Sequence, residues 1–408
     1  MLGAFITMKS LFFINQYAST PDVGFAGRSY YLAKALQEKG HNVLLVMSSN
    51  HHLLRSKPKF KGLWHKDNYN GLDILWLKTF NYKKANSFLR VINWFLFALY
   101  MPFLSFNKLK PNVLHYSSPA PVAFLGVWVL SKFISAKTCL DIRDVWPDTF
   151  VSIGGVSNKH PLVRMLYWIE KFSAVKADKV TSNLSNYSLR LSELGVATDK
   201  FLWVSNGVSE KEILNSYKHS NIALPVFCTG KFVVAYTGTF GEANALPHML
   251  EAAKLLLENK DIVFLLIGRG KEQSELEDVC KKNKLNNVYF HGAVAKKDIY
   301  KLQSLCDVLC VGAKPCSLYK YGVAANKLYE YMYSGVPIIY YIDSPDYSPV
   351  VDAGCGEEVS SSDSVGLSEA ILKIKSKSPL ELEAIAKNGT AYVQKNHVYS
   401  NLANKLLN

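Results

Sequence analysis

Tyr321-Gly322-Val323-Ala324-Ala325-Asn326-Lys327-Leu328-Tyr329-Glu330-Tyr331-Met332, closed by Ser334-Gly335-Val336-Pro337-Ile338-Ile339, decides how this chain folds. It reads as a loop entering a short helix over Ala325–Tyr333, a glycine that stops the helix, and a buried strand over Ile338–Ile342. Asn326 and Lys327 fall in the first helical turn, with Glu330 three to four residues on and on the same side. A lysine near a helix N-terminus opposes the helix dipole unless an anion sits there. A plain surface pair between Lys327 and Glu330 is the alternative.

Working outward, β-rich runs alternate with helical patterns. Strands are expected at Phe232–Thr237, Val263–Gly268, Val288–Gly292, Val308–Val311 and Glu357–Ser360, with helices at Leu246–Leu257, Glu272–Lys282 and Asp298–Leu305. An earlier series runs through Ser10–Tyr17, Asn42–Ser48, Leu72–Lys78, Val113–Ser117, Thr138–Arg143, Lys179–Asn183 and Leu202–Ser205. A helix over Gly27–Lys39 joins the first two. This alternation predicts two doubly wound parallel-sheet α/β domains facing each other across a cleft. The first spans residues 1–208 and the second 231–390, with a polar linker at 209–230. Ligands of such folds bind beyond the carboxyl ends of the strands.

Composition narrows the class. The chain has 408 residues, 49% hydrophobic and 20% charged, enough for ample cores. Seven scattered cysteines without a C-x-x-C argue for free thiols in a reducing, cytoplasmic compartment rather than a disulfide framework or zinc site. Met1–Asn15 lacks a basic start and a small-residue cleavage site, so it does not read as a signal peptide. Val91–Phe106 is apolar but only 16 residues long, with Asn93 and Pro102 inside it. It is too short to span a bilayer. With Arg90, Lys108 and Lys110 beside it, it suits either an interfacial helix or a buried one.

The strand-end loops carry the chemistry. Gly238-Thr239-Phe240-Gly241 follows a strand and precedes a helix, and Gly268-Arg269-Gly270-Lys271 ends the next strand. Together they look like a diphosphate clamp; separately each is a tight turn. Asp141-Ile142-Arg143-Asp144-Val145-Trp146-Pro147-Asp148 sets two carboxylates and a tryptophan at another strand end. Asp144 either faces a substrate hydroxyl, pairs with Arg143 or caps a helix. His115 either lines the cleft or sits in the core.

The ordered set of motifs resembles GT-B glycosyltransferases of family 4, over Ile14 to Pro337. Asn326–Met332 is similar to the Asn-Lys-Leu-x-Glu-Tyr-Met signature of the donor domain. Arg143–Asp148 is similar to the Arg-Asp-x-Trp-Pro-acid motif of a bacterial polysaccharide-building branch. Gly24–Ser29, Asn206-Gly207-Val208 and Gly238–Asn244 match further landmarks in order. The resemblance implies a retaining transferase that takes a sugar from a nucleotide donor, UDP-linked, to a lipid-linked (polyprenyl-pyrophosphate) saccharide.

It also implies roles. Glu330 takes the ribose hydroxyls. Gly27, Gly238, Thr239, Gly241, Gly322, Val323, Asn326, Lys327 and Leu328 surround the donor, and Arg269 and Lys271 lie near its pyrophosphate. Asp144 and Asp148 stand beside the acceptor, with Arg28, His115 and Trp146 on the acceptor side. A final helix around Ala391–Leu407 crosses back to the first domain. One departure stands out: eight residues before Glu330 lies Gly322, where many relatives carry a glutamate that touches the sugar.

No D-x-D occurs, so neither a metal nor another cofactor is expected. The formal charge of +14, with Arg55, Lys57, Lys59, Lys61, Lys66 and the Lys83–Lys110 segment, suits an anionic membrane and a peripheral location at its inner face. No nucleic-acid module is recognisable. A UDP-sugar 2-epimerase on the same scaffold and a non-catalytic sugar-nucleotide-binding or membrane scaffold protein are the rival readings. An incomplete G-x-G-x-x-G disfavours a dinucleotide dehydrogenase.

Overall fold

A computed structural model describes residues 8–82, 87–119, 122–152 and 155–407. The first seven residues of the N-terminal stretch and Lys83 of the basic segment lie outside them. Contact clustering gives two units: Met1–Ser205 with Tyr321–Ala324 and Tyr399–Asn408, and Asn206–Lys320 with Ala325–Val398.

The first unit is built on eight strands: β1 (Ser10–Ile14), β2 (Asn42–Ser48), β3 (Trp64–Tyr69), β4 (Leu72–Leu77), β5 (Val113–Ser117), β6 (Lys137–Ile142), β7 (Lys179–Ser182) and β8 (Phe201–Trp203). They pair in the order β3-β4-β2-β1-β5-β6-β7-β8, parallel except for β3, which runs antiparallel to β4. Its helices are α1 (Arg28–Glu38), α2 (Phe88–Tyr100), α3 (Ala123–Ile134), α4 (Asp148–Ser152), α5 (Pro161–Lys176) and α6 (Tyr187–Glu193).

The second unit carries α7 (Glu210–His219), α8 (Leu246–Leu255), α9 (Gln273–Lys282), α10 (Lys296–Gln303), α11 (Asn326–Tyr333), α12 (Pro349–Ala353), α13 (Ser364–Lys375) and α14 (Pro379–Asn396); α15 (Tyr399–Leu407) belongs to the first. Strands β9 (Phe232–Thr239), β10 (Ile262–Arg269), β11 (Val288–His291), β12 (Val308–Gly312), β13 (Ile338–Tyr341) and β14 (Gly356–Glu358) form an all-parallel sheet ordered β11-β10-β9-β12-β13-β14. The near-continuous apolar runs of β9, β10 and β12 suit strands buried on both faces.

Four details depart from the sequence reading. Strand β3 has no counterpart among the expected strands, because Trp64–Asn68 are all exposed and carry no inward-facing alternation; it pairs with β4. The stretch 209–230 is not a bare linker but contains α7. Only Ile213 and Ser216 of that helix are buried, which hides it in a polar composition. Ser216 Oγ accepts from the Lys301 N–H at 3.3 Å and Lys296 pairs with Glu212 at 2.9 Å, so α7 rides on α10.

The C-terminal helix is two helices broken at His397–Val398, and α15 packs on α1. The apolar run around Val91–Phe106 is α2 followed by a 3-10 turn over Pro102–Phe106. The inner side of α2 is tied down: buried Asn93 exchanges two hydrogen bonds with the Phe80 backbone, at 2.8 and 2.9 Å.

The approach of α2 to α3 depends on one glycine. A Cβ on Gly126 would lie 2.0 Å from the Ala98 carbonyl oxygen, a backbone atom that moves only with its helix. Gly126→Ala is expected to cost about 1–3 kcal/mol by forcing the helices apart, read as a lower urea midpoint at unchanged m-value.

Candidate functional site

In the second unit the site is assembled around the carboxyl end of β9. Tyr331 of α11 locks that end: its hydroxyl accepts from the Thr237 N–H at 2.7 Å and donates to the Thr237 carbonyl at 3.0 Å. One helical turn earlier on α11, Lys327 therefore reaches the Gly238 loop. Its Nζ donates to the Tyr236 hydroxyl at 2.8 Å and to Asn244 Oδ1 at 3.2 Å, and lies 4.1 Å from the Tyr236 ring centroid. Gly238 has φ +146°, and a Cβ there would stand 2.8 Å from Nζ. The backbone angle calls for glycine, and a side chain there would also displace the ammonium above it.

No carboxylate lies within ion-pair distance of Lys327 among the described residues. Desolvation by the surrounding protein pulls its pKa down to about 8, and Glu330 opposes that shift only in part. Glu330 is recessed on the same helix and accepts from Tyr300 Oη at 3.2 Å. Desolvation raises its pKa, partly countered by Lys296 and the Tyr300 hydroxyl. A cation lacking a counter-charge, glycine backbone beneath it and a carboxylate one turn along make a site for an anionic group bearing hydroxyls.

The other donor-side residues are distributed unevenly. Thr239 and Asn326 are exposed, Leu328 is buried, and Asn326 accepts from Asn206 Nδ2 at 2.6 Å. Gly241 packs beside Asn244. Arg269 and Lys271 are exposed, and the Arg269 guanidinium lies beside Gly292, which follows β11. The Arg269 backbone adjoins the glycine loop, since Arg269 is the register partner of Thr239 and its carbonyl accepts from the Phe240 N–H at 3.0 Å. The ammonium that stands over Gly238 is that of Lys327.

Gly322 and Val323 cluster with the first unit. Gly322 has φ +104°, and a Cβ on it would fall 2.4 Å from the Ser185 N, so the packing itself excludes a glutamate at this position.

In the first unit, two residues read as acceptor-side are interior. Arg28 is 2% exposed. It pairs with Asp141 at 3.1 Å and donates to the Ser205 carbonyl. Burial alone would raise the Asp141 carboxyl; the Arg28 charge overrides it, and with His115 and hydroxyl donation from Thr181 brings the pKa down to about 2. His115 is 2% exposed, stacked on Phe13 at 4.3 Å between centroids, and burial lowers its pKa to about 4. It is a core histidine. Gly27 precedes α1 with open space where a side chain would be.

The two acidic candidates after β6 separate clearly. Asp148 is committed: Arg190 Nη2 lies 2.9 Å away, Tyr167 donates to it, and the same guanidinium holds Glu170 at 2.7 Å. Asp144 has no such partner among the described residues. Its side chain reaches solvent yet is ringed by protein, and desolvation raises its pKa against the pull of Arg143. It lines a cavity with Tyr116, Ser118, Leu140, Trp146 and Tyr187. Trp146 stacks on Phe150 at 5.6 Å and meets Trp94 edge-on at 5.9 Å.

Sequence reasoning missed Tyr236, Tyr300 and the Arg28–Asp141 pair. Tyr236 was quotable only as a strand residue, and its alternation with Thr237 was the one available signal. The two carboxylates predict opposite stability effects. Asp148→Asn is expected to cost about 1–3 kcal/mol by stripping Arg190 of a partner. Asp144→Asn, which removes an unpaired and desolvated charge, is expected to leave the melting temperature at pH 7 unchanged or slightly higher.

Residues 225–391 match the model of glycosyl transferases group 1. The chain is 20% identical over 268 residues to the putative colanic acid biosynthesis glycosyl transferase WcaI of Escherichia coli (strain K12), a match spanning 62% of this chain and 64% of that relative. Among solved structures, sucrose-phosphate synthase from Thermosynechococcus elongatus superposes with a TM-score of 0.70 at 16% identity, covering 98% of this chain and 97% of that one. Anabaena HepE in complex with UDP and glucose gives 0.66 at 12% identity, covering 98% of each. Two Rossmann-like units with these neighbours are the GT-B fold, whose second unit carries the stretch similar to glycosyl transferases group 1.

Proposed function

We propose that this protein transfers a glycosyl group from a UDP-sugar, a hexose or N-acetylhexosamine, to a lipid-linked saccharide in the assembly of a bacterial surface polysaccharide. The observation that carries the donor half is the Lys327 ammonium, held over Gly238 by Tyr236 and Asn244 without a counter-charge. A diphosphate would supply that counter-charge, and Glu330, one turn along the same helix, would accept from the ribose hydroxyls. The group 1 domain and the UDP bound in HepE support the donor class. The acceptor half rests on the distant likeness to WcaI and on the Asp144–Trp146 segment.

In this reading the bond from the anomeric carbon to the diphosphate oxygen breaks as a bond to an acceptor hydroxyl oxygen forms on the same face. The displaced electron pair stays on the diphosphate, where Lys327 and glycine-loop N–H groups stabilise it. The acceptor proton passes to the leaving phosphate, and anomeric configuration is retained. Asp144, the carboxylate left without a partner, orients the acceptor hydroxyl. Lysine and backbone dipoles supply the charge stabilisation, so the reaction is expected to run in EDTA.

Thermal-shift titration with UDP, GDP, ADP and CMP in EDTA tests the donor site. A UDP-selective rise is expected, worth about 2.7 kcal/mol of stability at one hundred times Kd, and absent in Lys327→Ala and Glu330→Ala. A GDP-selective rise redirects the base; no rise with any nucleotide refutes the site. The pH dependence has a definite sign. Since the free Lys327 pKa is lowered to about 8, and an anion favours its charged form, UDP affinity should hold up to pH 8. Above that it should fall by up to about tenfold per pH unit, and this loss should vanish in Lys327→Ala.

A further inference from the structure

The outer face of α2 and of the turn that follows it is apolar and uncovered. Phe88, Phe95 and Leu99 are 76%, 45% and 64% exposed, and Phe103 and Phe106 are 53% and 84% exposed. Spacings of seven and four residues put Phe88, Phe95 and Leu99 on one stripe of the helix. Phe133, at the end of the neighbouring α3, is also exposed. This exceeds the scattered single hydrophobics of an ordinary surface. Less than a third of the apolar stretch Phe88–Phe106 is buried.

Charge says what covers this face. From Ile74 through Leu140 there is no Asp or Glu, while Lys78, Lys83, Lys84, Arg90, Lys108, Lys110, Lys132 and Lys137 all fall within it. Lys108, Lys110, Lys132 and Lys137 are exposed, beside the exposed aromatics of the turn and of α3. On the inner side, Trp94, Phe97, Tyr100 and Asn93 are buried in the domain, so α2 cannot leave it to cross a bilayer without abandoning its own core. An apolar stripe flanked by cations, on a helix fastened along its other side, is built to lie in an interface.

We infer that Phe88–Phe106, with Phe133, docks this protein onto a lipid bilayer rich in anionic headgroups. Phe95, Leu99, Phe103 and Phe106 enter the acyl boundary while Lys108, Lys110 and Lys132 meet the headgroups. The inference stands independently of the donor site, and UDP binding by each variant separates the two.

The test is co-sedimentation of the full chain with phosphatidylcholine vesicles, with or without about one quarter phosphatidylglycerol, at low and high salt. Wild type is expected to sediment with the anionic vesicles, less at high salt and little with phosphatidylcholine alone. Phe95→Ser/Leu99→Ser and Lys108→Glu/Lys110→Glu should each weaken partitioning by roughly tenfold while keeping the wild-type melting temperature and nucleotide response. Because these positions are exposed, a folded variant is expected. Failure of wild type to sediment, or equal sedimentation of all variants, overturns the inference. A dimer in vesicle-free buffer that Phe95→Ser/Leu99→Ser abolishes would also overturn it, by assigning the face to a second copy.

Discussion

A half-buried ammonium without a carboxylate within ion-pair distance is the constraint on which the second unit turns. Taking a lysine out of water disfavours its charge, and proteins ordinarily pair such a group. Here Tyr236 and Asn244 give Lys327 two oxygen acceptors and a ring face, but no net negative charge. The arrangement is not accidental slack, because Tyr331 fixes α11 to the end of β9 and so fixes where Lys327 must lie. Its place in the first turn of α11 adds dipole repulsion to the desolvation cost. Both penalties are relieved by the same event, arrival of an anion over Gly238, which is why this loop and helix are read together as a diphosphate site.

The first unit uses charge differently. Arg28 and Asp141 neutralise each other in the interior, and Ser117 and Thr181 hydroxyls complete the carboxylate at 2.9 Å each. That pair joins the start of α1 to β6 and is structural. Three residues further along the same segment, Asp144 is left without a partner, whereas Asp148 is absorbed by Arg190. Of the acidic residues in one short motif, then, one holds the fold, one joins a surface-proximal ion network, and one has no side-chain partner among the described residues.

Much of this was legible in the chain. Buried parallel strands are continuous apolar runs, so β2 and β5 could be read to the residue and β9 through β13 to within one or two. Strand β3 was not, since Trp64-His65-Lys66-Asp67-Asn68 faces solvent and is ordered by pairing with β4 rather than by burial. Helix α7 hid for the same reason. Lys327, Glu330 and Gly238 could be picked out because helix-end charge and strand-end glycine are local signals. That Lys327 reaches the Gly238 loop depends on how α11 docks on β9, and that Arg28 meets Asp141 depends on a helix start and a strand residue 113 positions apart in sequence. Neither is written in local spacing.

The most direct test of the central claim is a calorimetric comparison of UDP with uridine on wild type and Lys327→Ala. The two ligands share base and ribose and differ by the diphosphate. The account predicts that wild type binds UDP far more tightly than uridine, and that the substitution removes most of that difference while leaving uridine affinity in place. Equal loss for both ligands, or an undiminished preference for UDP, would contradict it.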